Sequence, residues 1–151
     1  MTTYAFQDTM CAISGPNGAF NLGFGSGNTE GGITTSPVED RNTMTIGADG
    51  EVMHSLHSGR GGHVTVRLLK TSPVNAALST MYALDTAGGA THGRNTITIG
   101  DLSRGDTVTC EQCAFARFPD VNYAKEGGEM TWMFHVGKIT YILGTGLAAV
   151  A

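Results

Sequence analysis

The chain has 151 residues, of which 40% are hydrophobic and only 15% are charged, and its net charge is −4. This length fits one domain, and a charge content below the roughly 25% of ordinary soluble domains indicates surfaces that become buried between subunits. The excess of acidic over basic residues argues against binding of duplex nucleic acid. No run approaches the ~18 apolar residues of a membrane-spanning helix, so no membrane insertion is expected.

Tight turns punctuate the first part of the chain. Asn17-Gly18, between two short apolar stretches in residues 9–22, predicts a β-hairpin because this pair favours positive φ angles. Asp49-Gly50 predicts a second hairpin for the same reason. Polar, glycine-containing flanks surround that second hairpin, so the segment 40–62 is expected to project from the domain. The glycine-rich stretch 23–32 is predicted to be a loop.

A single helix is predicted after an alternating strand at residues 63–70. Ser72 is suited to the N-cap and Pro73 to the first helical position, where its missing N–H costs no hydrogen bond. Apolar residues then recur at helical spacing up to Asp85, and Gly88-Gly89 ends the pattern. One amphipathic helix is therefore expected to pack on one face of a sheet.

The last third of the chain again has the two-residue alternation of strands. Runs at 95–100, 107–116 and 130–143 show it, and a change of parity near Glu111-Gln112 predicts a β-bulge. The total is seven to nine short strands with one helix. This pattern predicts a mainly β subunit, a β-sandwich or barrel with one flanking α-helix, rather than a βαβ alternation.

No residue pattern indicates catalysis, a metal or a cofactor. Cys110 and Cys113 lack a complementary pair at zinc-ligand spacing, and His54, His57 and His63 differ in strand parity, so a surface or interface role is favoured for the histidines. Nucleotide-binding and hydrolase motifs are absent. Three cysteines without framework spacing, and an N-terminus without a secretory signal, suit synthesis in a cytoplasm.

Several stretches together resemble a bacteriophage tail tube protein of the contractile, myovirus type. They are Thr-Tyr-Ala-Phe-Gln-Asp at 3–8, the hairpin segment 12–18, the Asp49-Gly50 hairpin on its polar flanks, and Glu-Met-Thr-Trp-Met-Phe-His-Val-Gly-Lys at 129–138. The similarity covers nearly the whole chain, and the fold is shared with type VI secretion tube proteins. It implies a structural virion protein that is not an enzyme and needs no cofactor.

The resemblance also implies an assembly and its partners. Subunits would form hexameric rings that contribute strands to a continuous inner β-barrel, and the rings would stack into a hollow tube that conducts DNA during ejection without binding it specifically. The expected partners are further copies of the chain, the tail sheath protein, the tape measure protein, the baseplate hub and the tail terminator. The protein would be made in the host bacterial cytoplasm and reside in the virion tail, and acidic groups facing the lumen would repel the passing DNA.

By the same resemblance, residues 1–151 form one tail-tube-like domain with flexible termini. The segment 40–62 would reach the next ring, the N-terminal arm and the 23–32 loop would make further contacts between subunits, and the helix would lie outside, near the sheath. Strands around 33–38, 64–69, 107–116 and 130–136 are the candidates for the inner barrel. The expected contact residues are Asp40, Arg41, Asn42, Asp49, Glu51, His57, Arg60, Tyr4, Phe6 and Phe24.

Two other functions are compatible with the residues. A monomeric small-molecule-binding β-barrel would use Trp132, Phe134 and Tyr141 to line its cavity. A hydrolase would need a carboxylate or histidine site in the region from His54 to His63. Only the first of these predicts a closed single-chain barrel, and neither predicts assembly.

Overall fold

The computed structural model describes residues 3–144. Residues 1–2 and 145–151, which belong to the termini expected to be flexible, lie outside the described residues. A short 3-10 turn at Phe6–Asp8 precedes nine strands and one α-helix. In chain order they are β1 Thr9–Gly15, β2 Gly18–Asn21, β3 Asn28–Pro37, β4 Asn42–Ile46, β5 Val52–Leu56, β6 Gly62–Leu69, α1 Val74–Asp85, β7 Asn95–Asp101, β8 Asp106–Arg117 and β9 Glu129–Ile142.

Seven of the strands form one antiparallel sheet in the order β2-β1-β7-β8-β9-β6-β3, which curls into a half-barrel. Strands β4 and β5 form a separate two-stranded ribbon. The prediction of a mainly β subunit with one flanking helix is confirmed. The sheet remains open, because its end strands β2 and β3 do not pair with each other. The four strands predicted for an inner barrel are consecutive neighbours, β8-β9-β6-β3.

One face of the sheet and the inner side of α1 enclose the core. Phe115 lies at the centre of an aromatic cluster, with ring centroids 4.7 Å from Phe134, 5.5 Å from Tyr82 and 5.8 Å from Trp132. Leu78 and Met81 bring the helix into the same core. None of the helices in the described part of the chain combines the length and apolar character that a membrane crossing requires.

Polar side chains fasten both ends of α1. At its start, Trp132 Nε1 donates to Asn75 Oδ1 at 3.0 Å, and Asn75 Nδ2 donates to the Leu69 carbonyl at 2.9 Å. At its end, the buried Asp85 carboxylate accepts hydrogen bonds from the amides of Asn17 and Asn95. The helix is therefore tied to β6, β7 and the β1–β2 turn as well as to the apolar core.

The structure corrects three local predictions. Residues Asn28 to Gly32, predicted as loop, open β3: Asn28 pairs with Leu68 of β6, and the ladder shifts register before Ile33. Here tertiary pairing overrides a polar, glycine-rich composition, helped by the positive φ of Gly32. The first hairpin turns at residues 16–17 rather than 17–18. The helix starts after Pro73 as N-cap, and Ser72 Oγ accepts a 3.3 Å hydrogen bond from the Val74 N–H instead.

The predicted β-bulge lies at Gln112, the only non-glycine residue with positive φ in the part of the chain that the structure describes. Against β7, Cys110 pairs with Ile97 but Cys113 with Asn95, so β8 has one extra residue there. The bulge turns both cysteines into the core, and residues three apart therefore point the same way. In a regular strand residues three apart would face opposite sides, so it is the bulge that places both cysteines in the core.

Candidate assembly surfaces

The β4–β5 ribbon, within the segment 40–62, is separate from the seven-stranded sheet. It is continued at its base by a 2.9 Å hydrogen bond from the His57 N–H to the Arg41 carbonyl and by a 2.6 Å contact between His57 Nε2 and Thr43 Oγ1. All but one of its ten strand residues are exposed, and none is buried. A two-stranded ribbon without a packed face is only marginally stable in water, so this ribbon is suited to packing against another surface.

Cross-strand pairing sorts the ribbon residues onto two different faces. Ile46 pairs with Val52, Met44 with His54 and Asn42 with Leu56, which places the apolar side chains Met44, Ile46, Val52 and Leu56 on one face. We call these four residues the hairpin apolar face. Leu56 is 79% exposed and Met44 54% exposed. Thr43, Thr45 and Ser55 make the opposite face polar, and Met53, 59% exposed, is its only large apolar residue.

Of the predicted contact residues of this segment, Asn42 lies on the same side of the ribbon as the hairpin apolar face, and the others lie around that face. Asp40, Arg41 and Asn42 lead into β4, Asp49 and Glu51 form the tip, and His57 and Arg60 lie at the base, all exposed. Arg60 is held against the main sheet: its Nη2 donates to Thr140 Oγ1 at 3.2 Å, and its carbonyl accepts the Ile139 N–H at 2.8 Å. The apolar residues between them were missed, although their alternation across the Asp49-Gly50 turn is visible in the sequence.

A second exposed apolar group lies at the N-terminal segment. Phe6 and Phe24 meet edge to face with ring centroids 6.3 Å apart, and Tyr4 and Phe24 are mostly exposed. Tyr4 and Phe6 also line a depression of about 330 Å³ together with Ile33 and Ile99. The structure thus brings Phe6 and Phe24 together as one aromatic patch, separate in sequence from the ribbon.

The face of the main sheet opposite the core is rich in small polar side chains. The cross-strand registers place eight threonines on it, none of them buried, and we call it the threonine face: Thr34, Thr65, Thr96, Thr98, Thr107, Thr109, Thr131 and Thr140. The same registers add three basic and two acidic residues, Arg67, Arg117, Lys138, Glu111 and Glu129. This broad surface faces away from the core and is close to neutral.

The cysteines offer no reactive or metal-binding group. Burial raises the pKa of the Cys11 and Cys113 thiols from 9.0 to about 12, with Cys110 nearby adding to both, and burial raises the pKa of Cys110 to about 11. The thiols therefore stay protonated and inert near neutral pH. Among residues 3–144, no group of three or more His, Cys, Asp or Glu side chains is placed to hold a metal ion.

The geometry does not assemble the two alternative sites. Trp132 and Phe134 are fully buried in the aromatic cluster, whereas Tyr141 is 42% exposed and bonds Thr35 Oγ1 at 3.3 Å, so the three do not line one cavity. His54 and His57 lie on the β4–β5 ribbon and bond Asn42 and Thr43, while His63 lies in β6 of the main sheet. No convergent catalytic group results in this region.

Comparison with known proteins gives one family and a common fold. The family model described as bacteriophage PhiTE tail tube protein matches residues 1–144. Solved structures with similar folds include a chain of the sheath–tube complex of an extracellular contractile injection system, PVC, in the extended state. The TM-score is 0.59 at 8% identity, and the match covers 93% of this chain and 92% of that chain.

Two further structures come from the anti-feeding prophage. Its tube-terminating cap gives a TM-score of 0.56 at 8% identity, covering 95% of each chain. A chain of its six-fold symmetrised baseplate gives 0.52 at 13% identity, covering 94% of this chain and 97% of that chain. At these identities the similarity shows the fold alone. A search of curated proteins found no match.

Proposed function

The chain belongs to the bacteriophage PhiTE tail tube protein family, and on that premise we propose that it forms hexameric rings which stack into the hollow tube of a contractile tail. Family membership makes the protein a structural component of the phage tail and not an enzyme. The observation that carries the proposal is the hairpin apolar face, an exposed apolar surface on a ribbon that is separate from the seven-stranded sheet.

A second copy of the chain is the proposed occupant of that face. Soluble monomers seldom expose contiguous apolar surface without a partner, and the partner available to every subunit of a tube is another subunit. A ribbon that docks on a different surface of the next copy makes a heterologous contact, which repeats without closing when it joins one ring to the next. The charged residues around the face, among them Asp40, Arg41 and Glu51, would form its polar rim.

Ring closure is supported by the edges of the open sheet. Strand β3 is ten residues long and pairs only with β6 in the described residues, so its other edge offers free backbone donors and acceptors. Exposed edges of this length invite pairing with another chain. We place β8, β9, β6 and β3 in the inner barrel of the ring, where the β3 edge would meet the next subunit.

The threonine face is the proposed lumen surface, because it is the face of those four strands that points away from the core. Its three basic and two acidic residues leave it near neutral, so passing DNA would find neither a basic stripe to bind nor a strong barrier. An acid-lined lumen, the earlier expectation from the net charge, would need carboxylates from outside this face.

The sheath, the tape measure protein, the baseplate hub and the tail terminator remain proposed partners. The similar folds occur in structures described as a sheath–tube complex, a tube-terminating cap and a baseplate, which supports the sheath, the terminator and the baseplate. The tape measure protein is proposed from the family resemblance alone. The outer side of α1, where Ala76, Thr80 and Leu84 are exposed, is the surface we assign to the sheath.

Matched substitutions on the two faces of the ribbon test the assembly. Met44→Ser removes an apolar side chain from the hairpin apolar face, and Met53→Ser removes the same side chain, equally exposed, from the polar face. We expect wild type and Met53→Ser to form tubes in negative-stain micrographs, and Met44→Ser to need a higher protein concentration to do so. Equal assembly by both variants, with unchanged melting temperatures, would refute the role of this face.

A further inference from the structure

Two histidines from distant parts of the chain face each other on the threonine face. His63 of β6 is the direct cross-strand partner of His135 of β9. Their ring centroids are 4.9 Å apart and the rings are inclined at 79°. Directly paired positions on antiparallel strands hold side chains within about 5.5 Å, so the backbone itself keeps the two imidazoles together.

The spacing of the rings matches that of two imidazoles bound to one ion. With metal-to-nitrogen bonds of about 2.1 Å, each ring centroid lies about 3.2 Å from the metal, so two ligating rings stand about 4.5 Å apart at a right angle and about 5.2 Å apart at a tetrahedral angle. The observed 4.9 Å lies between these limits.

One of the ring nitrogens lacks a partner. His63 Nδ1 is buried and takes part in no hydrogen bond within the described residues. A buried polar atom without a partner in the chain is unusual, so this nitrogen is free to bind a group from outside the chain. The surrounding side chains on the face are Ser36 opposite His63 and Ala114 opposite His135, so none of the cross-strand neighbours is a carboxylate.

We propose that His63 and His135 provide the two protein ligands of a site for a divalent transition-metal ion of the Zn²⁺, Ni²⁺ or Cu²⁺ class, with His63 Nδ1 as one ligand. Imidazole nitrogens favour these ions over Mg²⁺ and Ca²⁺, which prefer oxygen. Since no third protein ligand completes a group in residues 3–144, water fills the other coordination positions. The site lies within one subunit and does not depend on ring formation.

Copper provides the test, because Cu²⁺ is the strongest binder of the series and its electron paramagnetic resonance spectrum reports nitrogen ligands. Titration calorimetry of the full chain with Cu²⁺ should give one ion per chain, with a spectrum that shows two nitrogen ligands. His63→Gln and His135→Gln should each weaken binding by about tenfold or more, because loss of even a supporting contact at a metal site costs that much. His135 is exposed, so its variant should fold even if the His63 variant does not.

The ribbon histidines supply matched controls. His54→Gln and His57→Gln remove the same side chain elsewhere on the surface and should leave the affinity unchanged. Met44→Ser should also bind copper as the wild type does, which separates this site from tube assembly. Undiminished binding by both His63→Gln and His135→Gln, or an equal loss in His54→Gln, would overturn the proposal.

Discussion

Leucines on the two sides of α1 provide a quantitative test of how the helix is held. Leu78 has no exposed surface and lies in the core, whereas Leu84 on the same helix is 49% exposed. Leu78→Ala removes three buried carbon atoms, a transfer loss of about 2.4 kcal/mol at ~0.8 kcal/mol each. The cavity left behind adds to this, so we expect a loss of about 3–5 kcal/mol in the free energy of unfolding.

Leu84→Ala is the matched control. It loses about half of the transfer free energy, leaves no enclosed cavity, and gains slightly from the better helix propensity of alanine, so a loss near or below about 1 kcal/mol is expected. Both are changes of leucine to alanine in one helix, and they differ only in burial.

Urea unfolding can be followed by fluorescence of Trp132, the only tryptophan, which is fully buried against the core aromatics. With a slope of about 2 kcal/mol per molar urea, the midpoint should fall by about 1.5–2.5 M for Leu78→Ala and by less than about 0.5 M for Leu84→Ala. The measurement should be made at protein concentrations at which sedimentation shows monomers, because assembly would add to the apparent stability. Equal losses for the two variants would refute the packing described for α1.

Two further predictions concern the core thiols and the β-bulge. Because the thiol pKa values are raised in the folded chain, the free energy of unfolding should be constant below about pH 9 and fall above it. Above that pH the unfolded chain loses thiol protons that the folded chain keeps, and the free energy of unfolding falls by up to about 1.4 kcal/mol per pH unit for each cysteine. Urea midpoints at pH 8 and pH 10 measure this fall, which should be shallower in Cys110→Ala. Rapid thiol labelling of the folded protein at pH 8 would contradict the burial on which this prediction depends. Gly137→Ala should destabilise by about 1–3 kcal/mol, since a Cβ at Gly137 would lie 2.9 Å from Gln112 Cβ, whereas Gly127→Ala, where no atom lies within 4 Å, should change the midpoint little. Similar midpoints for these two variants would argue against the bulge geometry.

Local chemistry was sufficient for much of the fold. The Asp49-Gly50 turn, the parity change near Gln112 and the helix after Ser72 each depend on residues a few positions apart, and each appears in the structure within one or two residues. The mainly β class follows from the same short-range patterns. The family resemblance, which the family match confirms, also rested on short stretches spread along the chain.

Other features required the whole fold, because they join residues that are distant in sequence. Pairing with β6 makes a strand of the polar stretch from Asn28 to Gly32, which has no strand pattern of its own. The bulge turns Cys110 and Cys113 to the same side, and the β6–β9 register brings His63 beside His135. The sequence by itself determined most of the strands, the turns and the helix, since those depend on local backbone preferences. Only the tertiary structure decided which side chains share a face, because strand order and register are set by the packing of the complete sheet.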